Sequence, residues 1–297
     1  MPENPEEDTA MPEIKPFFDT ATNTVTYLVW DKATRQAVII DPVLDFDPAP
    51  GRLFTKSADA VLAAAKAKDL EIAWALDTHA HADHLSAADY IRQMTGARVG
   101  IGAHITDVQK IFRPMFGPTP DTPDASVFDA LFNEGDEIPL GKETIRVLHT
   151  PGHTAACLTY LIGDAAFVGD TVFMPDYGTA RADFPGGDAH ALYQSIRKLL
   201  ALPPETRIFT GHDYLPEGRE AFAWEATVAE HRAANVHVHD GVTEEDFVAM
   251  RTARDQTLAA PRLILPSLQV NIRAGRLPPP ESDGQTYLRL PVNRLGK

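Results

Sequence analysis

Thr78-His79-Ala80-His81-Ala82-Asp83-His84 places three imidazoles and a carboxylate within a few residues of one another. The stretch directly follows Ile72-Ala73-Trp74-Ala75-Leu76-Asp77-Thr78, a short apolar run that reads as a buried strand. On a loop leaving that strand, His79 and His81 can point one way. Asp83 and His84 can face a neighbouring position as the next helix, expected over 83–94, begins. Neutral imidazoles and a carboxylate suit zinc, iron or manganese. A polar helix-capping loop with Asp83 as the cap is the alternative, but a cap has no need of three imidazoles.

Working outward, three later segments share the same form, a strand end followed by a ligand-type side chain. Thr150-Pro151-Gly152-His153-Thr154 follows Ile145-Arg146-Val147-Leu148-His149, and Phe167-Val168-Gly169-Asp170-Thr171 closes another apolar run. Thr210-Gly211-His212-Asp213-Tyr214 follows Arg207-Ile208-Phe209. Any one of these is an ordinary turn. Four strand ends that all deliver His or Asp point to one shared metal site.

The set HxHxDH, PGH, GD and GH resembles the metallo-β-lactamase superfamily over roughly residues 15–235. The resemblance implies an α/β fold, a four-layer αββα sandwich with the metal site at one edge of two sheets. It also implies ligand roles. His79, His81 and His153 match the ligands of a first metal, Asp83, His84 and His212 those of a second, and Asp170 a bridging carboxylate.

Surrounding residues narrow the resemblance. Pro151 to Tyr160 (PGHTAACLTY) is similar to the PGHTxGCxTY stretch of persulfide dioxygenases, with Ala156 where that family usually has glycine. Gly178 to Phe184 (GTARADF) resembles its GxGRTDF segment, and His212-Asp213-Tyr214 its HDY signature. By that resemblance one Fe(II) is held by His79, His153 and Asp170, leaving three open positions where a persulfide sulfur and O₂ meet. His81, Asp83, His84 and His212 then orient ligands or substrate. The implied reaction takes glutathione persulfide, O₂ and water to sulfite and glutathione. Arg181 and Tyr214 match positions that contact glutathione, and Cys157 a cysteine near the site. For Arg181 the alternative is an ion pair with Asp183 or Asp188, for Tyr214 plain packing, for Cys157 a small buried residue.

The rival reading is a hydrolase of glutathione thioesters, similar to glyoxalase II, with two Zn(2+) and all seven ligands in use. A β-lactamase is disfavoured because no secretory signal is visible. A nuclease is disfavoured by charge: 27 basic against 42 acidic residues give −15, which argues against nucleic-acid and anionic-membrane partners. An anionic small molecule would therefore need local Arg or Lys to hold it.

With 44% hydrophobic residues, the 297-residue chain can bury a substantial core. No apolar run reaches the roughly 18–20 residues of a membrane span. The single cysteine cannot form an internal disulfide, and the acidic, proline-punctuated start is unlike a signal peptide. A cytoplasmic protein is expected, its oligomeric state open, with a homodimer as the expectation. Residues 1–14 read as a disordered acidic tail and 15–235 as the catalytic domain. The texture predicts strands near 24–30, 37–41, 97–101, 144–149, 158–168 and 207–210, and helices over 57–66, 189–202 and 218–234. Residues 112–123 (FRPMFGPTPDTP) read as a loop, either lid or insertion. Residues 236–297 read as an extension packing on the same domain, a helix from Glu244 to about Leu258 and then an extended tail.

Overall fold

The computed structural model describes residues 11–117 and 123–294. Antiparallel strands β1 (Glu13–Asp19), β2 (Thr24–Trp30) and β3 (Gln36–Ile40) open it. Short strands β4 (Val43–Asp47) and β5 (Arg52–Phe54) lead to helix α1 (Lys56–Ala67). Next come β6 (Glu71–Leu76), β7 (Leu85–Ser86), α2 (Ala88–Thr95), β8 (Arg98–Gly102) and α3 (Ile105–Phe112). The second half runs through β9 (Ala130–Phe132), β10 (Glu137–Leu140), β11 (Glu143–His149), β12 (Leu158–Ile162) and β13 (Ala165–Phe167). It continues with α4 (Ala189–Leu200), β14 (Arg207–Phe209), β15 (Glu225–Thr227) and α5 (Val228–Ala234). Helices α6 (Glu244–Asp255) and α7 (Ile264–Asn271) lie in the C-terminal extension.

Two six-stranded sheets form, ordered β1-β2-β3-β6-β8-β9 and β10-β11-β12-β13-β14-β15, with a small β5-β4-β7 sheet beside them. Side-chain alternation sets the layers. Val25, Tyr27 and Val29 of β2 join Val147, Tyr160 and Phe167 in a core between the sheets. Leu28 and Trp30 face the other way, into a core that includes Val61, Ile91, Val108 and Leu268 from α1, α2, α3 and α7. On the second sheet, Leu161 and Ile208 pack with Leu192, Ile196 and Phe247 from α4 and α6. With both faces covered, β2 and β12 are buried along their whole length. The result is the expected αββα sandwich.

Several local expectations need correction. The helix expected from Asp83 starts only at Ala88, because Asp83 and His84 lie on a loop and β7 intervenes. The helix expected over 218–234 is confined to α5. Thr227 caps it with Glu230 in a reciprocal pair, while Glu225–Thr227 pairs with β14. Glu13 and Ile14, read as tail, pair with Trp30 and Val29 in β1; residues 1–10 of that tail lie outside the described residues. The apolar stretch after Leu263 is helical, since Pro266 falls in the first turn, where a missing N–H costs nothing. In the 112–123 stretch, Arg113–Phe116 forms a 3₁₀ turn with Phe116 in the core. Positions 118–122 lie outside the described residues, and with them the question of a lid. Among the described residues no helix is long and apolar enough to cross a membrane.

Candidate metal centre

The four ligand-bearing segments leave strands of both sheets at one edge. Cross-sheet hydrogen bonds hold that edge in register. Tyr27 donates its hydroxyl to the Thr210 carbonyl at 2.6 Å, and Tyr160 donates to the Asp77 carbonyl at 2.9 Å. Leu158 N–H donates to Thr78 O at 2.8 Å, and within the second sheet Gly211 N–H donates to Gly169 O at 2.9 Å.

Asp41, directly after β3, organises the histidine loop. Its carboxylate accepts from Thr78 N–H at 2.7 Å and Thr78 Oγ1 at 2.9 Å, and His81 Nε2 lies 2.9 Å away. Burial raises the pKa of Asp41, but His81 and the Thr78 hydrogen bonds outweigh it and leave the group below the ordinary range. Asp77, also buried, is pushed by desolvation up to about 7 and accepts from Ser86 Oγ. From α7, Asn271 Nδ2 donates to the carbonyls of His81 and His84 at 2.8 Å each, and its Oδ1 accepts from Ser86 N–H at 2.7 Å.

The other segments are fixed by equally specific contacts. His153 Nδ1 donates to the Arg181 carbonyl at 2.8 Å, leaving Nε2 to face the site. Gly152 adopts φ +133°, and a Cβ there would sit 2.2 Å from the Leu192 backbone nitrogen. Gly169, at φ +50°, leaves no room for a Cβ against Thr78 Oγ1 at 2.3 Å. His212 Nδ1 donates to Asn23 O at 3.1 Å.

These tethers aim the remaining polar atoms at one place. His79 Nε2 and His153 Nε2 lie 3.9 and 3.7 Å from Asp170 Oδ2. His212 Nε2 lies 3.3 Å from both Asp170 Oδ1 and Asp83 Oδ2. His79, His153 and Asp170 offer ligand atoms within 4.8 Å of one another, and His81, Asp83 and His84 form a second such group. His79 Nε2, His81 Nδ1, Asp83 Oδ2, His84 Nε2, Asp170 Oδ1 and His212 Nε2 are buried without a hydrogen-bond partner. Converging buried polar atoms are costly unless a cation satisfies them, so the donor set fits a transition metal. Burial keeps His79 well below the usual imidazole pKa and His84 down to about 4, which leaves their lone pairs free to coordinate.

All seven residues expected at the metal edge are brought together. Tyr214 borders the same cavity, with its ring stacked on His212 and Tyr177. Arg181 borders it too, but its donors are committed. Nε and Nη2 bind Asp183 at 2.6 and 2.9 Å, and Nη1 donates to Ala259 O at 2.6 Å. This is the ion-pair alternative with Asp183. Cys157 is buried and does not open on the cavity; its Sγ accepts from Thr154 N–H at 3.3 Å. Asp41, Asn271 and the buried pair Arg251–Asp255 carry no local motif. Arg251 donates to Thr179 O at 3.2 Å, and Asp255 accepts from Ala182 N–H at 2.9 Å, bracing the loop whose carbonyl holds His153.

Fold and site together define a metalloprotein that gathers its metal at the edge of an αββα sandwich. The sequence model of the metallo-beta-lactamase superfamily matches residues 19–212, and the chain belongs to that superfamily. A Burkholderia pseudomallei protein named a probable metallo-hydrolase is 52% identical, over 95% of this chain and 99% of its own length. Glyoxylase B2 of Dictyostelium discoideum is 44% identical, over 95% and 97%. The human mitochondrial persulfide dioxygenase ETHE1 is 28% identical, over 88% of each chain. The crystal structure of ETHE1 from Myxococcus xanthus superposes with a TM-score of 0.71 at 32% identity, covering 89% of this chain and all of that one.

Proposed function

We propose that the protein is an iron-dependent persulfide dioxygenase that oxidises glutathione persulfide with O₂ to sulfite and glutathione. The observation that carries this reading is the His79–His153–Asp170 group, two imidazoles and one carboxylate within 4.8 Å of one another. Likeness to ETHE1 in sequence and fold supports it. Iron held there would supply adjacent open positions for a soft sulfur donor and for O₂.

The chain's own residues do the rest. Thr78 and the Arg181 carbonyl hold the rings of His79 and His153, at 3.0 and 2.8 Å from their Nδ1 atoms. Phe184 packs on His153 and Phe173 on His212, keeping water from the imidazoles. A cavity of about 390 Å³, bordered by His153, Asp170, Tyr177 and Tyr214, opens in front of the ligands, enough for a tripeptide-sized thiol. We place the protein in the cytoplasm, which cell fractionation tests.

A second reading is favoured by the His81–Asp83–His84 group and its unpartnered atoms, which suit a second cation. That arrangement would serve a di-zinc hydrolase of glutathione thioesters, in keeping with the name of the Dictyostelium relative. Metal analysis with paired assays separates the two. One iron per chain, oxygen uptake on glutathione persulfide and inertness toward lactoylglutathione support the dioxygenase. Two zinc ions and thioester hydrolysis without oxygen uptake overturn it.

A further inference from the structure

The connection between α5 and α6, residues 235–243, packs against the loop that follows Asp170. Val236 N–H donates to Pro175 O at 2.9 Å, and the fully buried Asn235 donates through Nδ2 to Gly178 O at 3.3 Å. His237 makes the next contact. Its Nδ1 accepts from Thr179 N–H at 3.0 Å and lies 3.2 Å from Thr179 Oγ1. Gly178 stands at φ +101°, and a Cβ there would sit 2.2 Å from His237 Nδ1, so the loop presses directly on the imidazole. The backbone N–H of His237 is in turn held by Asn235 Oδ1 at 3.0 Å.

Further along the same loop, the Arg181 carbonyl accepts from His153 Nδ1 at 2.8 Å. That bond decides which nitrogen of His153 carries the proton. With the proton on Nδ1, the Nε2 lone pair faces the metal edge; if the carbonyl turns away, the proton is free to move to Nε2 and block it. The direction of the carbonyl depends on how the flanking peptides are held. Arg251 fixes Thr179 O and Asp255 fixes Ala182 N–H, while His237 supplies the acceptor for Thr179 N–H. Burial and the neighbouring charges of Arg251 and Arg254 push the His237 pKa down to about 4, so at neutral pH the ring is uncharged and Nδ1 keeps its lone pair. His237 lies behind the loop, outside the residues that border the cavity, and acts only through it.

We propose that His237 is a positioning residue for the metal centre, fixing the 178–182 loop so that the Arg181 carbonyl holds His153 with its proton on Nδ1 and its Nε2 free to coordinate. The proposal rests on His153 as a metal ligand, which the one-iron and two-zinc arrangements share, so it does not depend on which reaction is catalysed. What the loop needs is an acceptor where Nδ1 stands. Asparagine can place its Oδ1 there, whereas leucine fills the space without one.

The test uses the full chain as wild type, His237→Leu and His237→Asn, freed of metal and titrated with cobalt(II). His237→Leu is expected to bind the first cobalt ion about tenfold more weakly, and His237→Asn within about twofold of wild type. Nitrogen-15 NMR of the metal-free proteins reads the tautomers directly. Wild-type His153 should carry its proton on Nδ1, His237→Leu should show a mixture, and His237→Asn should return to Nδ1. Urea unfolding gives the stability of each variant. A stability loss in His237→Leu with unchanged cobalt affinity and an unchanged His153 tautomer overturns the proposal and leaves His237 a packing residue. Should His237→Leu fail to fold, the wild type still decides: its His237 must carry the proton on Nε2, and a proton on Nδ1 overturns the assignment. Absence of cobalt binding in the wild type removes the metal centre and the proposal together. Oxygen uptake and thioester hydrolysis judge the reaction separately. If the enzyme hydrolyses thioesters but the cobalt and tautomer differences persist, the reaction assignment fails and the role of His237 stands.

Discussion

The Asn271 side-chain amide donates to the His84 carbonyl at 2.8 Å, joining the C-terminal extension to the histidine loop across 187 positions of sequence. The same nitrogen reaches His81 O, and the amide oxygen takes Ser86 N–H. One buried side chain thus satisfies three backbone groups of the loop that carries His81, Asp83 and His84. The extension is therefore part of the metal edge.

Asn271→Ala should destabilise the fold by about 3 kcal/mol, since it leaves three buried backbone groups unsatisfied. Asn271→Asp should be worse, because a carboxylate oxygen would then face two carbonyls. In the folded fraction, metal affinity should fall about 10–100-fold. Urea unfolding gives the first quantity and cobalt titration of metal-free protein the second. Full stability with wild-type affinity would show that the loop holds its own shape.

The metal edge was legible because its ligands sit on short motifs directly after apolar runs, where hydrophobicity and local spacing are both visible. Asp41 has the same form, following Val38-Ile39-Ile40, yet it stands alone and reads only as the last residue of the strand expected over 37–41. Asn271 and the Arg251–Asp255 pair act through backbone groups distant in sequence, so nothing local marks them. The 218–234 error has a local cause. Its alanines and glutamates favour helix, but pairing of Glu225–Thr227 with β14 overrides propensity up to the Thr227 cap. For Arg181 the sequence offers two readings, a glutathione contact or an ion pair with Asp183 or Asp188; the bond to Ala259 O joins residues 78 positions apart, so nothing local marks it.

His231 on α5 should make stability depend on pH. It is fully buried, accepts from Asn235 Nδ2 at 3.2 Å, and desolvation pushes it down to about 4, with Glu230 opposing weakly. Since its folded pKa lies below its unfolded value near 6.5, the unfolded chain binds the extra proton between those values. Stability is full above about pH 6.5 and falls as pH drops toward 4. This one group should remove about 2 kcal/mol between pH 7 and pH 5. Urea unfolding of wild type and His231→Gln at both pH values isolates the contribution. An identical pH response in the two proteins would contradict it.

Cys157 should be inert in the native protein. Burial pushes its thiol up to about 12 despite the hydrogen bonds from Thr154, and it is 2% exposed. The reactive thiolate is then scarce at pH 8 and shielded as well. Iodoacetamide should leave native protein unmodified and label it fully in urea, as mass spectrometry reads out. Cys157→Ser should change stability by no more than about 1 kcal/mol, because serine keeps the acceptor for Thr154. Rapid native labelling would move Cys157 out of the core and toward the chemistry.

The two ligand groups make opposite demands on metal content. If one iron sits on His79, His153 and Asp170, then His79→Ala, His153→Ala and Asp170→Ala each remove one of only three protein ligands. Iron should be lost from all three variants. His81 is anchored through Nε2 by Asp41, and His212 through Nδ1 by Asn23 O, so each ring is oriented from outside the triad. His81→Ala and His212→Ala should therefore retain iron while turnover falls about 10–100-fold, the usual consequence of removing a group that orients ligands. With two metals, His81 and His212 are ligands themselves, and their loss should lower metal content as far as the loss of His79 does. Elemental analysis of the five variants, purified alongside wild type, decides between these patterns. A uniform loss across all five assigns the edge to a dinuclear hydrolase, whereas a split of three against two leaves one iron with three positions open to substrate.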